Sequence, residues 1–446
     1  MMNKILIEGG EIIQGNGRFS GYIVINGELI EEVGYGEYKG NRPSRIIDAR
    51  GKWIMPGVID DQVHFREPGM THKADIASES RTAIAGGVTS FMDMPNNNPA
   101  TTTNELIEEK FAIAAQCSPA NYSFYFGATE QNGKELNRLD SKHVCGVKLF
   151  MGSSTGSLLV TTQKELERIF AESPILIATH CEDNELIAQS LYKFKNTYGD
   201  NIQPAMHPLI RSAEACYRST AQAVELADKY GSKLHVLHLS TARELTLFDN
   251  KPLQQKKITN ELCVHHLWFS DKDYARLGNR IKWNPAIKSE SDRLSLLEAL
   301  KSGRADVIGT DHAPHTDAEK SAPYLACPSG GPFVQHSLLA MLELAAQGYL
   351  KPEEVIEKMC HAPAELFAIN NRGFIKEGFY ADLVIVNPND PWTVSKENIL
   401  SKCGWSPLEG YTFTNKIETT IVNGHIAYDQ GQFDLSVKGK ALEFNR

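Results

Sequence analysis

The chain has 446 residues, of which 41% are hydrophobic and 23% charged, with a formal net charge of −9. That balance excludes a disordered chain, a collagen-like repeat and a coiled-coil rod, and scattered Lys and Arg make nucleic acid a poor expectation for the partner. The length suits two or three domains, or one barrel of about 250 residues with an appended module.

Residues 1–10 offer only two hydrophobic steps before acidic and glycine residues, so no signal peptide is expected, and no apolar run is long enough to cross a bilayer. The eight cysteines contain no CxxC pair, which is read as reduced thiols and a cytoplasmic location.

In chain order, Lys4-Ile5-Leu6-Ile7 predicts a strand followed by a turn at Glu8-Gly9-Gly10. A second strand, at 21–25, runs into Asn26-Gly27, a tight-hairpin signal. The middle alternates strand and helix. Apolar strands are predicted near 57–65, 88–95, 121–129, 144–152, 174–182, 233–240, 258–267 and 305–314, with helices between most of them, for example at 103–116 and 212–230. Eight such strands fit a (β/α)8 barrel better than a doubly wound sheet, because no glycine-rich phosphate turn follows the first strand. Beyond the barrel, 381–386 and 419–422 read as strands, the latter entering Asn423-Gly424. Two strand-rich ends suggest one β module built from both termini, with two unrelated appendages as the alternative.

Barrel chemistry sits where strands end at one face. The predicted strands end at His64 and Arg66, at Asp93 and Asn96, at His180 and Glu182, at His238, at His265 and His266, and at Asp311, His312 and His315. Lys148 lies inside the fourth strand. Convergent His and Asp suit a borderline divalent ion, zinc above all. A buried lysine must find a partner, shift its pKa or be modified. Two readings of Lys148 follow, an ion pair with a nearby carboxylate or carbamylation by CO2 to an anionic oxygen ligand.

In several stretches the sequence resembles the cyclic amidohydrolases of the metal-dependent amidohydrolase superfamily, and within them the dihydroorotase family. The stretches are Pro56-Gly57-Val58-Ile59-Asp60, His64-Phe65-Arg66-Glu67-Pro68-Gly69, Met94-Pro95-Asn96 and Gly146-Val147-Lys148-Leu149-Phe150. Further on come His180-Cys181-Glu182-Asp183, His238-Leu239-Ser240-Thr241, His265-His266-Leu267, Thr310-Asp311-His312-Ala313-Pro314-His315 and Gly378-Phe379-Tyr380-Ala381-Asp382-Leu383-Val384.

The resemblance implies a distorted TIM (β/α)8 barrel over 55–374 and a small β-sandwich from 1–54 and 375–446. It implies one or two zinc ions, with His64 on the first, N6-carboxylated Lys148 bridging, His180 and His238 on the second, and Asp311 as ligand and general base and acid. Arg66, Asn96 and His315 are expected to hold a substrate carboxylate. Asn284 and the backbone of Gly331 and Pro332 are expected to contact the substrate ring. His235, His265, His266 and His312 are taken as satisfied, structural histidines. Segment 316–329 is a candidate lid.

The implied reaction is reversible cyclisation of N-carbamoyl-L-aspartate to L-dihydroorotate in pyrimidine biosynthesis. The alternatives are a hydantoinase- or dihydropyrimidinase-like hydrolase, or a non-catalytic homologue scaffolding aspartate transcarbamoylase; a homodimer is the base-rate expectation. Two departures from the family pattern bear on this. Gln62 stands where the first motif has a histidine, leaving open a Gln or water ligand, a loosely filled first site, or a single metal. Asn284-Pro285-Ala286-Ile287-Lys288 replaces a Pro-Pro-Leu-Arg stretch.

Overall fold

The computed structural model describes residues 4–152 and 158–446; residues 1–3, part of the stretch read above as lacking a signal, lie outside the described residues. The N-terminal segment forms β1 (Lys4–Gln14), β2 (Gly17–Asn26), β3 (Leu29–Tyr35), β4 (Arg45–Asp48) and β5 (Trp53–Pro56). Asn26-Gly27 makes the expected hairpin between β2 and β3, with Gly27 at φ 62°. Glu8-Gly9-Gly10 does not reverse the chain. Gly9, at φ 80°, forms a bulge and β1 continues beyond it, so the predicted turn is corrected to an irregularity within one long strand.

Eight parallel strands follow in sequential order: β6 (Val58–Val63), β7 (Val88–Asp93), β8 (Asn121–Gly127), β9 (Gly146–Phe150), β10 (Ile177–His180), β11 (Leu234–Val236), β12 (Ile258–Cys263) and β13 (Val307–Gly309). The strands are almost wholly buried, as expected for a parallel sheet covered by helices outside and side chains within. The seam between β13 and β6 closes through a parallel bridge between Val63 and His312 and the 2.7 Å bond from His64 N–H to the His312 carbonyl. Asp60 clasps the same seam, accepting from the Thr310 hydroxyl (2.6 Å) and its backbone N–H (3.1 Å). Burial raises the Asp60 carboxyl to about 8 despite these donors.

The predicted helices appear at Asn104–Cys117 and Ala213–Tyr230. Thr103 and Ser212 act as N-caps, and Gly231 ends the second in the left-handed region. The chain then returns to the N-terminal strands through β14 (Leu383–Asn387), a small ribbon of β15 (Trp392–Thr393) and β16 (Thr412–Phe413), and β17 (Lys416–Val422), β18 (His425–Asp429) and β19 (Gln432–Phe433). One nine-stranded sheet results, in the order β19-β18-β17-β14-β5-β1-β2-β3, with β4 beside β1. Both chain ends therefore build one sheet, and Asn423-Gly424 turns its β17–β18 hairpin with both residues at positive φ.

Asp382 joins this sheet to the barrel. Buried against Arg372, it accepts from Asn423 N–H (2.8 Å) and from the Asn121 side chain of β8 (3.3 Å). Among the described residues no helix is long and apolar enough to cross a membrane, and all eight cysteines are free.

Candidate active site

The carboxyl ends of the barrel strands open into a cavity of about 350 Å³. It is lined by Gln62, His64, Arg66, Asn96, Lys148, His180, His238, Asn284, Asp311 and His315, together with Phe150, Trp283, Ala313, Pro328, Ser329 and Gly330. Every proposed metal ligand is thus in one place. Of the substrate-binding candidates, Arg66, Asn96, Asn284 and His315 line the cavity, whereas Gly331 and Pro332 do not. Gly331 is engaged in a bridge to His312 and accepts from Ala313 N–H (3.0 Å), so the backbone reaching the cavity is that of Ser329 and Gly330.

Arg66, His238 and Asp311 all have positive φ, at 68°, 44° and 45°. Non-glycine residues reach this region at a cost of order 1–3 kcal/mol each, and here the turns aim three functional side chains into one space.

Two facing pairs, one of a nitrogen and an oxygen and one of two nitrogens, mark where a cation would sit. His64 Nδ1 donates to the Asn96 side-chain oxygen (2.7 Å), which turns the Nε2 lone pair toward Asp311 Oδ1 at 3.0 Å. His180 Nε2 donates to Glu182 (2.9 Å), leaving its Nδ1 lone pair facing His238 Nε2 at 2.9 Å, while His238 Nδ1 has no partner. Lone pairs turned toward one another are the arrangement a divalent ion relieves. Burial holds both histidines below their ordinary pKa, His238 far below, which keeps them neutral and able to bind a metal. Gln62 Nε2 donates to Asp311 Oδ1 (3.2 Å), and Gln62 Oε1 is buried without a partner. An amide oxygen is thus free where the family pattern has an imidazole. The donor set fits a borderline divalent metal.

Lys148 is 1% exposed and pairs with no carboxylate among the described residues, so the ion-pair reading of this lysine finds no partner; its ammonium lies 4.8 Å from the Phe150 ring centre. Burial pushes it down to about 8 against the pull of Asp311 and Glu261, leaving a fraction of order one-tenth as free amine at pH 7.

Behind the ligands, burial alone would raise the Glu182 carboxyl, but Arg211 and His180 hold it below its ordinary value. Arg211 Nε donates to Glu182 Oε1 at 3.0 Å. This pair locks the His180 tautomer. Across the cavity, Arg66 Nε donates to the Pro314 carbonyl (3.0 Å), and its Nη2 approaches His315 at 3.1 Å. His315 Nε2 donates to Ser329 O (3.0 Å), and Nδ1 accepts from Lys73 Nζ (3.1 Å). Burial, Arg66 and Lys73 together keep His315 neutral. Lys73 and Glu182 went unassigned in the sequence reading. Glu182 stands at a strand end, where the sequence alone gives it no role, and Lys73 lies in the loop after β6, where barrel periodicity gives no signal.

Among the other histidines, His312 is satisfied, bonding Glu79 (2.9 Å) and accepting from Phe333 N–H (2.9 Å). His265 corrects the expectation of a satisfied residue. Neither ring nitrogen has a well-formed hydrogen bond, and the ring stacks on Trp283 at 4.5 Å. Segment 316–329 is braced by buried amines, with Lys282 Nζ donating to the Tyr324 carbonyl (2.7 Å) and Lys320 Nζ to that of Pro328 (3.0 Å).

The Amidohydrolase family profile matches residues 53–427. The chain belongs to this family. Its sequence relatives include a dihydroorotase of Halobacterium salinarum, 32% identical over 91% of this chain and 93% of that protein, and a dihydroorotase of Trichlorobacter lovleyi, 30% identical over 95% and 99%. An allantoinase of Bacillus velezensis is 29% identical over 97% and 95%. Among solved structures, the L-hydantoinase (dihydropyrimidinase) of Arthrobacter aurescens superposes with a TM-score of 0.92 at 25% identity, covering 98% of each chain.

Proposed function

We propose that the chain is a dihydroorotase, catalysing zinc-dependent, reversible cyclisation of N-carbamoyl-L-aspartate to L-dihydroorotate for UMP synthesis in the cytoplasm. In this reading 55–374 is the catalytic barrel and 1–54 with 375–446 its β-sandwich. The observation that carries the proposal is Arg66. Its guanidinium is buried to 6% exposure, faces the cavity and meets no carboxylate within ion-pair distance among the described residues. Burial lowers it only to about 10, so it stays cationic and awaits an anion. Dihydroorotate brings a carboxylate to that position, whereas a simple hydantoin does not.

Zinc held by His64, carboxylated Lys148, His180, His238 and Asp311 would supply Lewis-acid polarisation of the ring carbonyl and a more acidic water. Arg66, Asn96 and His315 hold the substrate carboxylate, and Lys73 on Nδ1 fixes the His315 tautomer, so that Nε2–H turns from the Ser329 carbonyl to the carboxylate when substrate binds. The free Asn284 Oδ1 accepts from a ring N–H. In the hydrolytic direction Asp311 takes the proton of the attacking water and delivers it to the leaving ring nitrogen; cyclisation reverses the transfer. Gln62 holds the Asp311 carboxylate in place for both directions.

Assay of the purified chain against dihydroorotate and an unsubstituted hydantoin tests the reading directly. A preference for dihydroorotate of at least about 100-fold in kcat/KM is expected, the scale of one charge-assisted contact; equal turnover overturns it in favour of a hydantoinase-like enzyme. No turnover of either substrate by zinc-loaded protein would leave the scaffold for aspartate transcarbamoylase. Arg66→Ala is expected to raise KM for dihydroorotate by about 30-fold or more with a smaller change in kcat; an unchanged KM removes Arg66 from carboxylate binding. The proposed assembly is a homodimer, read by light scattering with and without aspartate transcarbamoylase.

A further inference from the structure

One layer below the cavity floor, the barrel interior holds a second group of ligand-type side chains that the proposed reaction does not use. Asp61 on β6, His235 on β11 and Glu261 on β12 are each fully buried, and one ligand atom from each lies within 4.8 Å of the others. His235 Nε2 lies 3.2 Å from Asp61 Oδ2, and its Nδ1 bonds the Thr259 hydroxyl at 2.9 Å.

Two oxygens in this group, Asp61 Oδ1 and Glu261 Oε2, have no hydrogen-bond partner among the described residues. They converge on the space left by the missing side chain of Gly309. A Cβ there would lie 2.7 Å from Glu261 Oε2 and 2.9 Å from Asp61 Oδ1. No lysine or arginine pairs with either carboxylate among the described residues. Two carboxylates buried in contact, each with one oxygen unpartnered, repel one another and lose hydration, which a cation between them or a shared proton relieves.

We propose that Asp61, His235 and Glu261 form a second cation site inside the barrel, separate from the cavity ligands, that takes one divalent transition-metal ion, zinc by its donor set. One imidazole nitrogen and two carboxylate oxygens are three ligands within zinc's donor range, and a fourth from backbone or water would complete a tetrahedral shell. Its role is structural. Glu261 Oε1 accepts from the backbone N–H of His238 (3.1 Å), and His238 is held at φ 44°. An ion fixing Glu261 from below thus holds the turn that aims His238 into the cavity. The inference is independent of the substrate proposed above.

The test is zinc-edge anomalous diffraction from crystals of the full chain grown without added metal, with elemental analysis of the same preparation. A peak about 2.0–2.2 Å from His235 Nε2 is expected, spatially resolved from any peak between His180 and His238. Glu261→Gln should abolish the deeper peak and lower zinc content by one equivalent per chain while the upper peak persists. If that variant does not fold, the wild-type map with Asp61→Asn decides. An occupied upper site with no density at Asp61, His235 and Glu261 overturns the proposal. So does a protonated-carboxyl infrared band that disappears in Glu261→Gln, which would show a shared proton in place of the metal.

Discussion

Replacing Asp311 by Asn is expected to lower kcat for dihydroorotate by about three orders of magnitude or more while the thermal midpoint moves by no more than a few degrees. Loss of a positioned general base costs about 10²- to 10⁴-fold, and here the same carboxylate also faces His64 and is a proposed metal ligand. Stability should survive because the backbone at 311 has φ 45°, a region that Asn, like the native Asp, adopts more readily than most residues with a side chain. The Asn side chain can also still accept from Gln62. Turnover within tenfold of wild type would remove Asp311 from proton transfer; a collapsed melting transition would show that its role lies in the seam.

Lys148→Met should separate chemistry from stability more sharply still. The amine is buried without a carboxylate partner, so a methionine of similar length removes a desolvated polar group and adds apolar contact beside Phe150. The variant is expected to melt at or above the wild-type temperature while losing at least about 100-fold in kcat and a substantial part of its zinc. In the proposed site a carboxylated Lys148 would supply an anionic oxygen to the metal, and a thioether cannot replace that charge. Retained activity would show that Lys148 ligates nothing. A fall in stability of several kcal/mol with activity intact would instead make it a structural lysine.

Much of the barrel is legible because its strands are apolar on both faces and end in chemistry at a single rim. Reading the ends of the apolar runs, together with the lysine inside the fourth, was enough to gather His64, Lys148, His180, His238 and Asp311, which the fold brings to one cavity. Turns requiring positive φ at Asn-Gly were equally plain. What failed depended on partners far along the chain. Glycine at position 9 announces an unusual backbone angle, but only pairing with β2 decides whether the chain bends or bulges. Gly331 and Ser329 differ by two residues in sequence, yet the bridge to His312 decides which of them reaches the cavity. Lys73 acts through His315, and nothing in its own loop reports that contact. His265 looked like a polar residue near a polar site; its neighbour is the flat face of Trp283.

The sheet made from both termini also sets an order of assembly. Strands β1 to β4 can pair as soon as they leave the ribosome, but β5 must wait for β14 to cover its second edge. At ordinary synthesis rates that wait is on the order of tens of seconds, during which the barrel strands are made and an apolar strand edge lies open. Truncation just before Leu383, which removes β14 and everything after it, should therefore release a chain whose barrel is translated but whose N-terminal strands remain sticky. The native answer to that exposure is the late arrival of Asp382, which meets Arg372, the β17–β18 turn and β8 in one step.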